Sequence, residues 1–151
     1  MGVSGPVLLG PGWLVGASVG FSYSVPDVLC ALGLRARKKL PRFCGRRRAL
    51  AARYDERLKT LAPLVRPAVT ESWSNPALHL MVALIDFEAA GRSRQQVVEA
   101  LRAKGVGSQV HYIPVHKQPY YRERYGDIDL PGADAWYERC LSLPLYPSMA
   151  D

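Results

Sequence analysis

Residues 109–121 read QVHYIPVHKQPYY, thirteen positions that hold two histidines, two prolines and three tyrosines. Pro114 and Pro119 each remove an amide donor and fix φ, so the run is a poor helix. It reads as the end of a short strand, residues 108–113, that feeds a rigid aromatic loop. Loops carried on a folded scaffold often bear binding groups.

The segments on either side supply the scaffold. Ser93-Arg94-Gln95-Gln96 has the form of a capping box, and the apolar Val97, Val98, Ala100 and Leu101 follow it. Gly105 after Lys104 is a good helix stop. Before that helix, residues 78–87 (LHLMVALIDF) are apolar at successive positions, which predicts a covered central strand. After the aromatic loop, Ala133, Trp136, Tyr137, Cys140 and Leu141 fall on one helical stripe that Pro144 ends. Trp136 and Tyr137 are read as core.

Upstream, Pro26 suits the first turn of a helix, with Ser24 as its cap and Asp27 at its positive end. Val28, Leu29, Ala31, Leu32 and Leu34 give that helix its apolar residues. Pro41 predicts a break near Leu40 and a second helix beyond it. There Phe43, Leu50, Tyr54, Leu58 and Leu61 recur at helical spacing, Arg46, Arg53 and Arg57 fall on the wet side, and the helix ends before Pro63. Residues 63–76 read as a proline-punctuated loop and residues 1–19 as an irregular lead-in. The order helix, helix, strand, helix, strand, loop, helix is that of a small α+β unit. Two strands make a thin sheet that needs helices or a partner to cover it, and the chain is expected to be cut at both ends.

Composition narrows the class. The chain has 151 residues, 48% of them apolar, enough for one globular domain. Its net charge of +7 is local, because residues 35–53 hold nine Lys or Arg and no acid. Such a block is read as a solvated helix face before it is read as a nucleic-acid contact, since no aromatic interleaving accompanies it. Three cysteines, Cys30, Cys44 and Cys140, lack CxxC spacing and fit buried thiols in a reducing compartment. The first residues lack a charged n-region, and no apolar run approaches the about 18 residues a membrane span needs. The expectation is a soluble cytoplasmic protein.

The run VHYIPVHKQPYYRERYG, residues 110–126, resembles the DegT/DnrJ/EryC1/StrS family of sugar aminotransferases. Other blocks agree in order: ALGL at 31–34, RRRALAARYDERL at 46–58, His79-Leu80, residues 91–116, and LSLPLYPSMAD at 141–151. The resemblance covers roughly residues 20–151, and within the family it is closest to the transaminases of pseudaminic acid biosynthesis.

That resemblance implies an architecture and a chemistry. Residues 20–62 would be linker helices, and residues 63–151 the small C-terminal α+β domain of a fold-type I aminotransferase, truncated at its end. The large domain that carries the pyridoxal phosphate pocket would be missing. The intact family transfers an amino group, here from glutamate, to a UDP-linked 4-keto-6-deoxy sugar, and its members dimerise. A Schiff-base lysine and an acid facing the ring nitrogen are needed for that chemistry. No lysine precedes Lys38, and none of Lys38, Lys39, Lys59, Lys104 and Lys117 occupies a Schiff-base position, so the chain alone is expected to bind no cofactor and to be inactive. Where the family has Gly-Tyr-Asn-Tyr-Arg-Met-Thr-Asp, this chain has residues 20–27, GFSYSVPD. Ser22 and Ser24 thus replace an Asn and an Arg that reach the cofactor phosphate, and a hydroxyl cannot supply a charged fork.

The resemblance puts His111, Tyr112 and His116 on the substrate side of the intact enzyme. Tyr120 and Tyr121 are read as structural, and His79 as a core or interface histidine. A metal role for His111 and His116 is disfavoured by their spacing and the lack of nearby ligands. Two other readings remain: a non-catalytic remnant that docks onto a full-length or split transaminase, and a basic nucleic-acid-binding module.

Overall fold

A computed structural model describes residues 26–150 and, before them, two short strands, Val7–Leu8 (β1) and Leu14–Val15 (β2). These two pair antiparallel, Val7 with Val15 and Leu8 with Leu14, within the stretch expected to be irregular. The expected cap Ser24 lies outside the described residues.

One long helix, α1 (Asp27–Lys59), replaces the two expected on either side of Pro41. At about 1.5 Å per residue it extends roughly 50 Å. Pro41 removes one donor from the ladder. Residues 37–42 are all exposed, so the carbonyl it leaves without an intrahelical partner is open to water. Burial begins just past the proline: Cys44, Leu50, Ala51 and Leu58 face the core, whereas residues 27–40 are exposed at every position. Arg46 and Arg53, expected on the wet side, are half-buried, and the Arg46 Nη2 donates to the Met149 carbonyl at 2.7 Å. Tyr54 Oη donates to the Pro144 carbonyl at 3.0 Å. These two bonds tie the helix to the last residues of the chain.

The sheet has three antiparallel strands in the order β3–β4–β5: Val65–Pro67, Met81–Ile85 and Cys140–Leu143. The expected central strand is β4, with Val65 opposite Ile85 on one side and Met81 opposite Leu143 on the other. Met81, Ala83 and Ile85 are buried, while Val82 and Leu84 on the other face are half-buried.

Three expectations about the sheet fail. Residues 65–67, read as loop, form β3 and make the sheet three-stranded rather than two-stranded. Residues 108–113 contribute only one bridge, Gln109 opposite Ser142. Past it Val110 enters the core, and the Ile113 carbonyl accepts from the Gln118 side chain rather than from a strand. Residues 140–143 leave the helical stripe and form β5, because Cys140 and Leu141 are almost wholly removed from water beside β4. Pairing and burial there outweigh helical periodicity.

Helix α2 (Arg94–Ala103) starts at the predicted capping box: Ser93 Oγ accepts from the Gln96 amide at 3.2 Å, and Gln96 Oε1 accepts from the Ser93 amide at 2.8 Å. Gly105 follows it with φ 77°, a conformation that glycine adopts without Cβ strain. Helix α3 (Pro119–Tyr125) occupies the end of the run expected to be loop, with Pro119 at its first turn, where no donor is lost. Helix α4 (Pro131–Arg139) also opens on proline. Its last turn is held by Arg94 Nη2, which donates to the Tyr137 and Glu138 carbonyls at 2.5 and 2.8 Å while the guanidinium lies over the Tyr137 ring. Tyr137 packs against the core, but Trp136 is exposed, contrary to expectation. Cys44 and Cys140 are buried thiols, whereas Cys30 is exposed on α1.

Candidate functional site

The aromatic run is bolted to the scaffold at several points. At its start, the Gln109 amide donates to the Ser142 carbonyl at 3.1 Å and the Ser142 amide to the Gln109 carbonyl at 2.7 Å. Two residues on, His111 Nδ1 lies 2.8 Å from Ser142 Oγ. Ser142 is itself buried between Leu141 and Leu143 in β5, so the imidazole is held by a rigid strand. Burial, then the positive field of His79, pushes the His111 pKa below its ordinary value. His111 is therefore the neutral imidazole at neutral pH. His79 itself is exposed, which removes the core reading of that residue. The Tyr112 ring meets His111 edge-on, 4.8 Å between centroids, and is 58% exposed.

Further along, residues 115–117 form a single 3-10 turn whose His116 is buried. Its Nε2 stands 3.2 Å from Asp134 Oδ1 on the first turn of α4, and Lys117 Nζ stands 2.8 Å from the same oxygen. The Lys117 ammonium forms an ion pair with this carboxylate, and the His116 ring nitrogen lies beside the same oxygen. The Lys117 ammonium holds the Asp134 carboxyl below the usual carboxylate range. Gln118 Nε2 donates to the Ile113 carbonyl at 3.2 Å and closes the loop across its base. Beyond it, Tyr121 and Tyr125 stack at 6.4 Å on α3, both exposed.

The three substrate-side candidates thus differ. Tyr112 is on the surface, His111 is half-buried on β5, and His116 is buried against α4. An exposed ring and a partly open imidazole can meet a ligand. His116, with its ring nitrogen against Asp134, is placed to shape the loop. Sequence reading missed Ser142, Asp134, Lys117 and Gln118. Strand alternation could have found Ser142 had residues 140–143 been read as a strand. Asp134 lies eighteen residues beyond His116, and nothing in local spacing links them.

The described residues do not fit a pyridoxal phosphate cradle. Lys59 pairs with Glu56 at 2.6 Å and Lys117 with Asp134. Lys38 borders an open cleft lined by Val28, Ala31, Leu32, Leu34 and Arg35, while Lys39 and Lys104 are exposed. None stands in a closed pocket between an aromatic face and an acid, so no cofactor step is derived from this chain. Among the described residues no helix is long and apolar enough to cross a membrane.

Known proteins resemble this chain over almost its whole length. The model of the DegT/DnrJ/EryC1/StrS aminotransferase family matches residues 11–151, so the matched span opens inside the stretch read as a lead-in. The spore coat polysaccharide biosynthesis protein SpsC of Bacillus subtilis is 39% identical over 137 residues, covering 89% of this chain and 35% of its own length. Among solved structures, the aminotransferase TlmJ from Streptoalloteichus hindustanus superposes with a TM-score of 0.74 at 26% identity, over 91% of this chain and 36% of that one. Helicobacter pylori PseC, an aminotransferase involved in the biosynthesis of pseudoaminic acid, superposes with a TM-score of 0.73 over 97% of this chain and 39% of its own, at an identity of 24% that supports the fold alone. The chain spans about a third of the length of the curated relatives it matches. It belongs to the DegT/DnrJ/EryC1/StrS aminotransferase family, and its helix-and-sheet unit has the fold of one part of those enzymes.

Proposed function

We propose that this chain provides the helical linker (residues 20–62), built on the single helix α1, and the small domain (63–151) of a pyridoxal phosphate-dependent nucleotide-sugar aminotransferase. Its reaction is amino transfer from glutamate to a UDP-linked 4-keto-6-deoxy sugar, in the manner of pseudaminic acid biosynthesis. The observation that carries the reading is the family match over residues 11–151. The site supports it: a neutral imidazole and an exposed phenol stand side by side on a loop fixed to the sheet. His111 and Tyr112 would contact the sugar-nucleotide, and His116 would set the loop. The cofactor, when bound, supplies the electron sink of transamination. Its lysine and phosphate site would lie on polypeptide corresponding to the other two thirds of the relatives, and the dimer of the family would complete the assembly. We place the enzyme in the cytoplasm, where buried thiols such as Cys44 and Cys140 stay reduced.

The test is a chimera in which this chain replaces the matching third of SpsC. Glutamate-dependent amination of a UDP-4-keto-6-deoxy sugar is the expected result. A folded chimera that binds the cofactor but turns over no nucleotide sugar would sink the proposal. This chain alone, incubated with pyridoxal phosphate and borohydride, should trap no stoichiometric adduct at any single lysine. The rival reading, a non-catalytic remnant docked on a complete transaminase, predicts binding to that enzyme and an inactive chimera.

A further inference from the structure

Ser142 is a buried hydroxyl on β5, 5% exposed, and its Oγ lies 2.8 Å from His111 Nδ1. A hydroxyl has one hydrogen to donate, and a buried donor left unsatisfied costs about 1–3 kcal/mol. Ser142 Oγ has no other hydrogen-bond partner among the described residues. If His111 carried its proton on Nδ1, that nitrogen would donate to Oγ and the serine hydrogen would have no acceptor. If Nδ1 is bare, the hydroxyl donates to it and both groups are satisfied.

We propose that Ser142 is the positioning residue of His111: its hydroxyl donates to Nδ1, places the imidazole proton on Nε2 and aims that N–H at an acceptor oxygen of the ligand. Nε2 has no hydrogen-bond partner among the described residues, and the ring that carries it is half-buried rather than fully enclosed. The ligand chemistry this selects is a hydroxyl, carbonyl or phosphoryl oxygen, all of which a nucleotide sugar carries. The identity of the ligand rests on the reading above, whereas the tautomer does not. The strand makes the device rigid, because the Ser142 amide and carbonyl are both engaged by Gln109. Serine suits the position because it combines a small buried body with a donor that can rotate toward the ring.

The experiment is long-range proton–nitrogen NMR of the imidazoles in the full chain at neutral pH, with Ser142→Ala and Ser142→Thr beside the parent. His111 should appear as the Nε2–H form in the parent, as a mixture of tautomers in Ser142→Ala, and as Nε2–H again in Ser142→Thr. A parent with the proton on Nδ1, or an alanine variant with an unchanged tautomer, overturns the proposal. In the SpsC chimera the same alanine change should raise KM about threefold to tenfold, the worth of one hydrogen bond, and leave kcat within about twofold. An equal fall in kcat with unchanged KM would overturn the positioning role. An inactive parent chimera together with the Nε2–H tautomer in the chain would instead sink the sugar reading and leave the role of Ser142 standing.

Discussion

The two halves of α1 share one helix and little else. Residues 27–40 are exposed at every position, with Val28 73% and Leu34 63% open to water. Residues 41–59 bury Cys44, Leu50, Ala51 and Leu58 and carry the two bonds from Arg46 and Tyr54 to the chain's end. Leu29 and Leu40 differ from Leu50 and Leu58 in surroundings rather than in chemistry. The sheet and the C-terminal segment reach only the second half, so the same apolar residues are core in one half and surface in the other. A helix whose apolar residues no described element covers is one that a larger assembly would cover.

Substitution tests that contrast directly. Leu50→Ala should lower unfolding stability by about 2–5 kcal/mol, the range for a buried leucine. Leu32→Ala, on the bare half, should stay within about 0.5 kcal/mol. Urea denaturation of both variants reads the difference, and equal losses would break the comparison by showing that the first half is packed.

Ser93→Ala removes the cap of α2 and should cost about 1 kcal/mol. Because Leu32 is exposed and, among the described residues, the Ser93 side chain bonds only within its own capping box, adding this change to Leu32→Ala should give simply additive losses of stability. A non-additive result would tie the bare half to the domain. Tyr54→Phe removes the bond to the Pro144 carbonyl and should cost about 0.5–1.5 kcal/mol. It should also raise amide exchange at residues 145–149, since Tyr54 and Arg46 both tether that segment. Unchanged exchange would mean that Arg46 and the buried Leu145 hold it without Tyr54.

The smallest expected effect is on pH. His111 has a folded pKa below its ordinary 6.5, chiefly through burial. The unfolded state therefore binds more protons as pH falls below that value. The contribution is fully present above about pH 6.5 and is lost as pH falls through the lower folded value. Replacing His111 with Gln should flatten the stability profile in that window and leave it unchanged above. A profile that stays equally steep would assign the slope to other groups.

Local chemistry explains what could be read from the residues alone. The capping box at Ser93, the stop at Gly105 and the central strand at 81–85 depend on neighbours a few positions apart, and the structure contains all three. Pro41 misled because a proline's cost depends on whether the carbonyl it leaves open reaches water. Residues 140 and 141 misled because they match a helical stripe as well as a strand until β4 stands beside them. In the loop, His111 and Tyr112 were recognisable from residue type and family resemblance, whereas Ser142 and Asp134, which hold it, lie 31 and 18 residues away from the histidines they meet.

The sequence by itself determined the family, the capped helix, the central strand and the histidine–tyrosine loop, since each is encoded by a short pattern whose physics is local. Only the tertiary structure decided that α1 runs unbroken through Pro41, that residues 140–143 are a strand, and that His111 rests on Ser142 while His116 rests on Asp134. Those outcomes turn on which distant groups share a buried space, where pairing and desolvation outweigh the preferences of any single segment.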